Sequence, residues 1–262
     1  MKKLHFMIIG AHPDDCDIRA AGLALRMRRK GHDVTFLSAT DGSAGHHEMS
    51  REALAARRLE EVKASGKVLD IDYRVLPIRD GELTGSLEHR YALLKAIREC
   101  NPDVIITHRT SDYHPDHRAC GQLVMDCSYM VGVPLCCPEV PAMRKTPVIL
   151  SMSDRFTKPQ PFQADIVISN DDVIEKKLDA CLCHVSQMYE WLPWIDRWDG
   201  LKDAKTFEEK TEIVREDWRD FCTRDASRYA HKLPEGTKYA EAFEFNEYGA
   251  RLTEELIREM TE

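Results

Sequence analysis

Over the first 170 positions, short apolar runs alternate with amphipathic stretches, and this alternation narrows the possible folds more than any other feature of the chain. The runs "LHFMIIGAH", "DVTFLSAT", "DYRVLPI", "DVIITHR", "TPVILSMS" and "ADIVIS" read as strands. Between them, "DIRAAGLALRMRRKG", "REALAARRLEEVKASGKVLD", "SLEHRYALLKAIREC" and residues 115–131 have helical spacing, the first closing at Gly31. Strands that are apolar on both faces and separated by helices predict an α/β fold, a mostly parallel sheet covered by helices on both sides. Apolar residues are 43% of the 262, enough to fill one such core. From about residue 170 the pattern turns helical, with "KYAEAFEF" as a late strand and "NEYGARLTEELIREM" as a closing helix. The simplest organisation is a single domain over 1–262, with a core of about 1–190 and a helical and strand extension over about 191–262.

Two of the strand ends carry unusual chemistry. "AHPDD" follows the first strand, and "THRTSDYHPDHRA" follows the strand "DVIIT". In open α/β sheets, ligands bind outside the carboxyl ends of strands, so both clusters fall on one edge of one sheet. Adjacent carboxylates repel unless water or a cation relieves them. Imidazole and carboxylate are good ligands for Zn²⁺ and for Fe²⁺, and a catalytic site needs three of them plus a place for water. His12, Asp15 and His117 would make such a set, which leaves Asp14, His114 and Asp116 for other roles. The bland reading of either cluster alone is a turn held by an Asx hydrogen bond. Phosphate binding at the first turn is disfavoured: only Gly10 stands there, followed by carboxylates, where a dinucleotide site would carry three glycines.

The net charge of -8 gives no electrostatic help with a phosphate backbone, so nucleic acid is not an expected partner. Nine scattered cysteines without a CxxC motif suit reduced thiols in a cytoplasmic protein. No stretch approaches the ~20 apolar residues of a membrane span, and the N-terminal run is too short for a signal peptide.

"AHPDD" with "HPDH" about a hundred residues later resembles the LmbE-like, or PIG-L, family of metal-dependent N-deacetylases. The resemblance covers about residues 4–190 and implies a Rossmann-like fold that hydrolyses the acetamide of a small N-acetylglucosamine-type substrate. It implies His12, Asp15 and His117 as metal ligands, Asp14 as general base, and His114 as oxyanion stabiliser or proton donor. Asp116 would hold His114 or His117 in the right tautomer, or else cap a helix. "RRLE" resembles an R-x-x-E feature of the family and suggests Arg57 as a sugar contact, and "RDGEL" suggests Asp80. The implied cofactor is Zn²⁺, with Fe²⁺ or another divalent metal as alternatives. In this chain Cys16, then Asp17, stands where the family usually has Glu. Another amide hydrolase on the same scaffold, or a non-catalytic binding protein with a vestigial site, would be the competing functions.

Weaker signals surround this core. "YEWLPWIDRW" clusters Tyr189, Trp191, Trp194 and Trp198, which suits core packing, a sugar-binding face or a homo-oligomer contact. His46 and His47 lie in a polar loop on the expected site edge, where solvated loop residues are the default. His184 reads as a satisfied helical histidine.

Overall fold

A computed structural model describes residues 2–262. Its strands are β1 (His5–Gly10), β2 (Asp33–Ser38), β3 (Asp72–Val75), β4 (Val104–Thr107), β5 (Val148–Met152), β6 (Ile166–Ser169) and β7 (Ala240–Asn246). The helices are α1 (Asp15–Arg29), α2 (Arg51–Leu69), α3 (Leu87–Cys100), α4 (Pro115–Met130), α5 (Ile174–Leu182), α6 (Leu192–Ile195), α7 (Phe207–Phe221), α8 (Thr223–Arg228) and α9 (Glu254–Thr261). One seven-stranded sheet runs β3-β2-β1-β4-β5-β7-β6, and β7 pairs antiparallel with both of its neighbours. The expected α/β sheet, mostly parallel and helix-covered, is therefore present.

The apolar strands are buried on both faces, as their lack of polar alternation requires. Phe6 and Ile8 of β1 face a core shared with α1 and α9, while Met7 and Ile9 face a second core with α3 and α4. The strand order reverses between β1, which leads outward to β2 and β3, and β4, which leads to β5. Such a reversal opens a crevice at the carboxyl ends of the two strands. "AHPDD" and "HPDH" leave the sheet at that point.

Two features depart from a simple reading. The late strand "KYAEAFEF" belongs to the sheet interior, between β5 and β6, so the last quarter of the chain completes the sheet rather than only flanking it. The apolar periodicity of "DDVIEKKLDACLCHVSQMYEWL" suggests one helix, but the helix breaks after Leu182 and resumes as a π-helical turn over Ser186–Trp191. Glu61 of α2 explains the break. Its carboxylate accepts from the Ser186 amide and hydroxyl, each at 2.7 Å, so that amide needs no carbonyl one turn back. None of the helices among the described residues is long and apolar enough to cross a membrane.

Candidate metal centre and its relatives

Gly10 ends β1, and a Cβ there would sit 2.7 Å from the Cβ of Asp15, so only glycine lets α1 start this close to the strand. The turn that follows brings His12, Asp14 and Asp15 to the crevice. From the β4 side, His114 is the N-cap of α4: its Nδ1 accepts from the Asp116 amide at 3.2 Å. Pro115 fits the first turn of α4, where no amide donor is needed. The capping residue is thus His114 and not Asp116.

Three side chains converge. His12 Nδ1 lies 3.2 Å from His117 Nε2. Asp15 Oδ2 is 3.5 Å from His12 Nδ1, and Asp15 Oδ1 is 3.4 Å from His117 Nε2. The remaining ring nitrogens face carboxylates. His12 Nε2 stands 3.2 Å from Asp80 Oδ1 and 3.5 Å from Asp116 Oδ2, and His117 Nδ1 stands 3.2 Å from Asp112 Oδ1. Carboxylates hold protons on the nitrogens that face them, which leaves His12 Nδ1 and His117 Nε2 as lone pairs pointed at each other beside a carboxylate. A cation satisfies that donor set, so the residues fit a divalent metal.

The electrostatics agree. Burial alone would lower the pKa of His12, but the carboxylates of Asp116, Asp15 and Asp80 raise it well above the ordinary histidine value. Burial would raise Asp15, yet His117 and His108 hold it well below the carboxylate range. Asp80 is likewise held low by His12 against its own burial. His114 is shifted down, by burial first and then by the His12 and His117 rings, so it is a neutral donor at neutral pH. Since its Nδ1 is an acceptor, its proton sits on Nε2.

The other expected residues fall as follows. Asp14 is buried at the N-cap position of α1 without a side-chain capping bond, and its Oδ2 pairs with Arg58 Nη2 at 3.0 Å on the wall of the cleft. Arg57, the expected sugar contact, points elsewhere: its guanidinium clamps Glu190 through two bonds of 2.7 Å, and Arg58 occupies the cleft instead. Asp80 lines the cleft but is spent on His12 and on the Ala44 amide, 3.0 Å away. Asp116 holds His12, not His114 or His117.

Two neighbours have no place in the motif reading. His108, the first residue after β4, brings its Nε2 within 3.1 Å of Asp15 Oδ2 and stacks on His117 with centroids 4.1 Å apart. Asp112 orients His117. Their position at the end of β4, on the site edge, was the available signal. Cys16 is no ligand: it is fully buried beneath β1, with its thiol 3.5 Å from the Ile8 carbonyl.

Residues 7–128 match the family model described as PIG-L, GlcNAc-PI de-N-acetylase. The diacetylchitobiose deacetylase of Thermococcus kodakarensis is 32% identical over 200 residues, covering 72% of each chain. The chain belongs to the PIG-L/LmbE-like family of N-deacetylases. A probable N-acetyl-alpha-D-glucosaminyl L-malate deacetylase of Bacillus subtilis is 29% identical over 195 residues, which are 71% of this chain and 84% of that one. In three dimensions, the N,N'-diacetylchitobiose deacetylase of Pyrococcus horikoshii superposes with a TM-score of 0.74 at 24% identity, covering 94% of this chain and 85% of that one. That likeness speaks for the fold. This family member is accordingly an amide hydrolase.

Proposed function

We propose that this PIG-L/LmbE-like protein removes the acetyl group from a small N-acetylglucosamine-type substrate, acting as a single domain. The observation that carries the reading is the pair of imidazole nitrogens facing each other beside Asp15, with the Arg58-paired carboxylate of Asp14 lining the same cleft. His12, Asp15 and His117 would hold a zinc ion, which when bound acidifies a water and polarises a carbonyl. Asp14 is the general base and takes the proton of the attacking water. Arg58 keeps that carboxylate pointed into the cleft. The neutral His114 offers Nε2–H to the carbonyl oxygen as it gains charge. Asp14 or His114 then returns a proton to the nitrogen as the C–N bond breaks, and acetate and the free amino sugar leave. Asp80, Asp116 and Asp112 fix the tautomers of His12 and His117. The reduced cysteines, all free, suit a cytoplasmic setting.

The test is release of free amine from N-acetylglucosamine, its simple glycosides and diacetylchitobiose, with and without chelator. Chelator-sensitive release restored by zinc supports the proposal. Release that chelator leaves untouched, or no release by metal-loaded protein, rejects it.

A further inference from the structure

Helix α1 brings Asp14 and Asp15 to the crevice, yet no cap of its own holds its first turn, since Asp14 makes no side-chain capping bond. The helix is held from its middle instead. Interior helical amides ordinarily donate to the carbonyl four residues back, which for Gly22 and Leu23 are those of Ile18 and Arg19. Here both amides donate to the carboxylate of Glu241 on β7, each at 2.8 Å. Lys177 of α5 completes the arrangement: its Nζ donates to the Ile18 carbonyl at 2.9 Å and to Glu241 Oε1 at 2.7 Å. An ion pair from two other elements thus intrudes on the hydrogen-bond ladder of the helix that carries Asp15.

The surroundings are shaped for this intrusion. Lys177 and Glu241 are only 3% and 2% exposed. Burial would lower the pKa of Lys177, but Glu241 raises it above the usual lysine value, so the ammonium stays charged. A Cβ on Gly22 would stand 2.3 Å from the Asn170 side chain, so only glycine lets α1 seat this closely on the corner between β6 and α5. Two charges at such depth add little stability, because desolvation offsets their attraction, and an apolar pair of the same volume would serve a core as well. What an apolar pair cannot do is grip the backbone of α1 at Ile18, Gly22 and Leu23. The Ile18 amide closes the first turn on the Asp14 carbonyl at 3.0 Å. Gripping Ile18 from its other side therefore fixes where that turn, and Asp15 within it, stands.

Resting on the metal centre of the proposed deacetylase, we infer that Lys177 and Glu241 are positioning residues for that centre. Through the backbone of α1 they hold Asp15 where it meets His12 and His117, and neither belongs to the ligand set. The late strand β7 thus contributes to the reaction centre from 226 positions beyond Asp15 in the chain.

The test separates position from stability. Glu241→Leu alone leaves the Lys177 ammonium buried and unpaired, and should lower the denaturant midpoint sharply. Adding Lys177→Met removes the second charge, lets both amides return to the Ile18 and Arg19 carbonyls, and should bring the midpoint back near wild type. The zinc dissociation constant of this double variant, measured against a chromophoric chelator, should still be raised about tenfold, the low end for groups that orient metal ligands. Its cobalt-loaded form should show a shifted visible spectrum. On wild-type protein the coupling is reciprocal, so zinc should slow hydrogen exchange at the Gly22 and Leu23 amides, read by NMR. A double variant that regains both stability and wild-type zinc affinity would overturn the inference and leave the pair a part of the fold alone. Exchange at those two amides that zinc leaves unchanged would overturn it even if the double variant does not fold. None of these readouts needs turnover. Weakened zinc binding in the double variant, with no amine released by the wild type, would uphold the positioning role and reject the deacetylase reading.

Discussion

The chain holds two Asp–His clusters within a few residues of each other, and only one of them asks for a metal. In the cleft, His12 Nδ1 and His117 Nε2 meet 3.2 Å apart beside the Asp15 carboxylate. Beneath it, Asp17 faces His184, 3.0 Å from its Nε2, and both are fully buried. There Asp17 also accepts from the Ser65 hydroxyl and from Tyr73 Oη, the latter at 2.9 Å. That carboxylate gathers one imidazole and two hydroxyl donors and faces no second imidazole. It ties α1 to α2 and to the segment after α5. The difference lies in the outer carboxylates: Asp80, Asp116 and Asp112 turn the protons of His12 and His117 away from each other, whereas Asp17 faces one imidazole and two hydroxyl donors. Residue type alone does not make a metal site; the direction of the lone pairs does.

This contrast can be broken by mutation, starting from the largest effect. Asp15→Ala should abolish both metal binding and turnover, with metal content per chain falling from near one to near zero by elemental analysis. Asp14→Ala should keep its metal and lose about a hundred- to ten-thousand-fold in kcat, the usual worth of a general base. Near wild-type activity in that variant would remove Asp14 from the mechanism. Asp17→Asn should do the opposite. It leaves metal content intact and destabilises the fold by about 3–5 kcal/mol, because it breaks a buried ion pair; a denaturant midpoint reads this directly. Asp112→Asn should weaken metal affinity about ten- to a hundredfold with stability little changed.

The smallest expected effect is a pH signature. Burial alone would lower His184, but Asp17 raises its pKa above 6.5 in the folded protein. A group raised on folding contributes stability that is fully present below its unfolded value and is lost as pH rises through its folded value. The stability gap between wild type and Asp17→Asn should therefore be widest in mild acid and shrink above neutral pH. Metal affinity should run the other way, falling in acid, because protons compete with a metal for imidazole and carboxylate ligands.

Much of this is legible in the residues themselves. Strand β1 and "AHPDD", β4 and "HPDH" follow from apolar patterning, and the parallel sheet then forces both motifs to one edge. What escapes the sequence depends on contacts across distance. The break after Leu182 comes from Glu61, 125 positions from Ser186. The interior place of β7 is matched by a buried pair: Lys177 donates to Glu241 at 2.7 Å, and Glu241 accepts from the Gly22 and Leu23 amides of α1. Arg57 and Arg58 are chemically identical neighbours, and only the helix phase shows which one enters the cleft. Asp112 and His108 sit outside the two short motifs, and their roles emerge from the ring nitrogens and oxygens they face.

The central claim is that His12, Asp15 and His117 bind one divalent metal. Crystals of the zinc-loaded protein, measured on both sides of the zinc absorption edge, test it most directly. The account predicts a single anomalous peak at coordination distance, ~2.0–2.2 Å, from His12 Nδ1, His117 Nε2 and an Asp15 oxygen. A peak held by other residues, or none at full zinc loading, would contradict it.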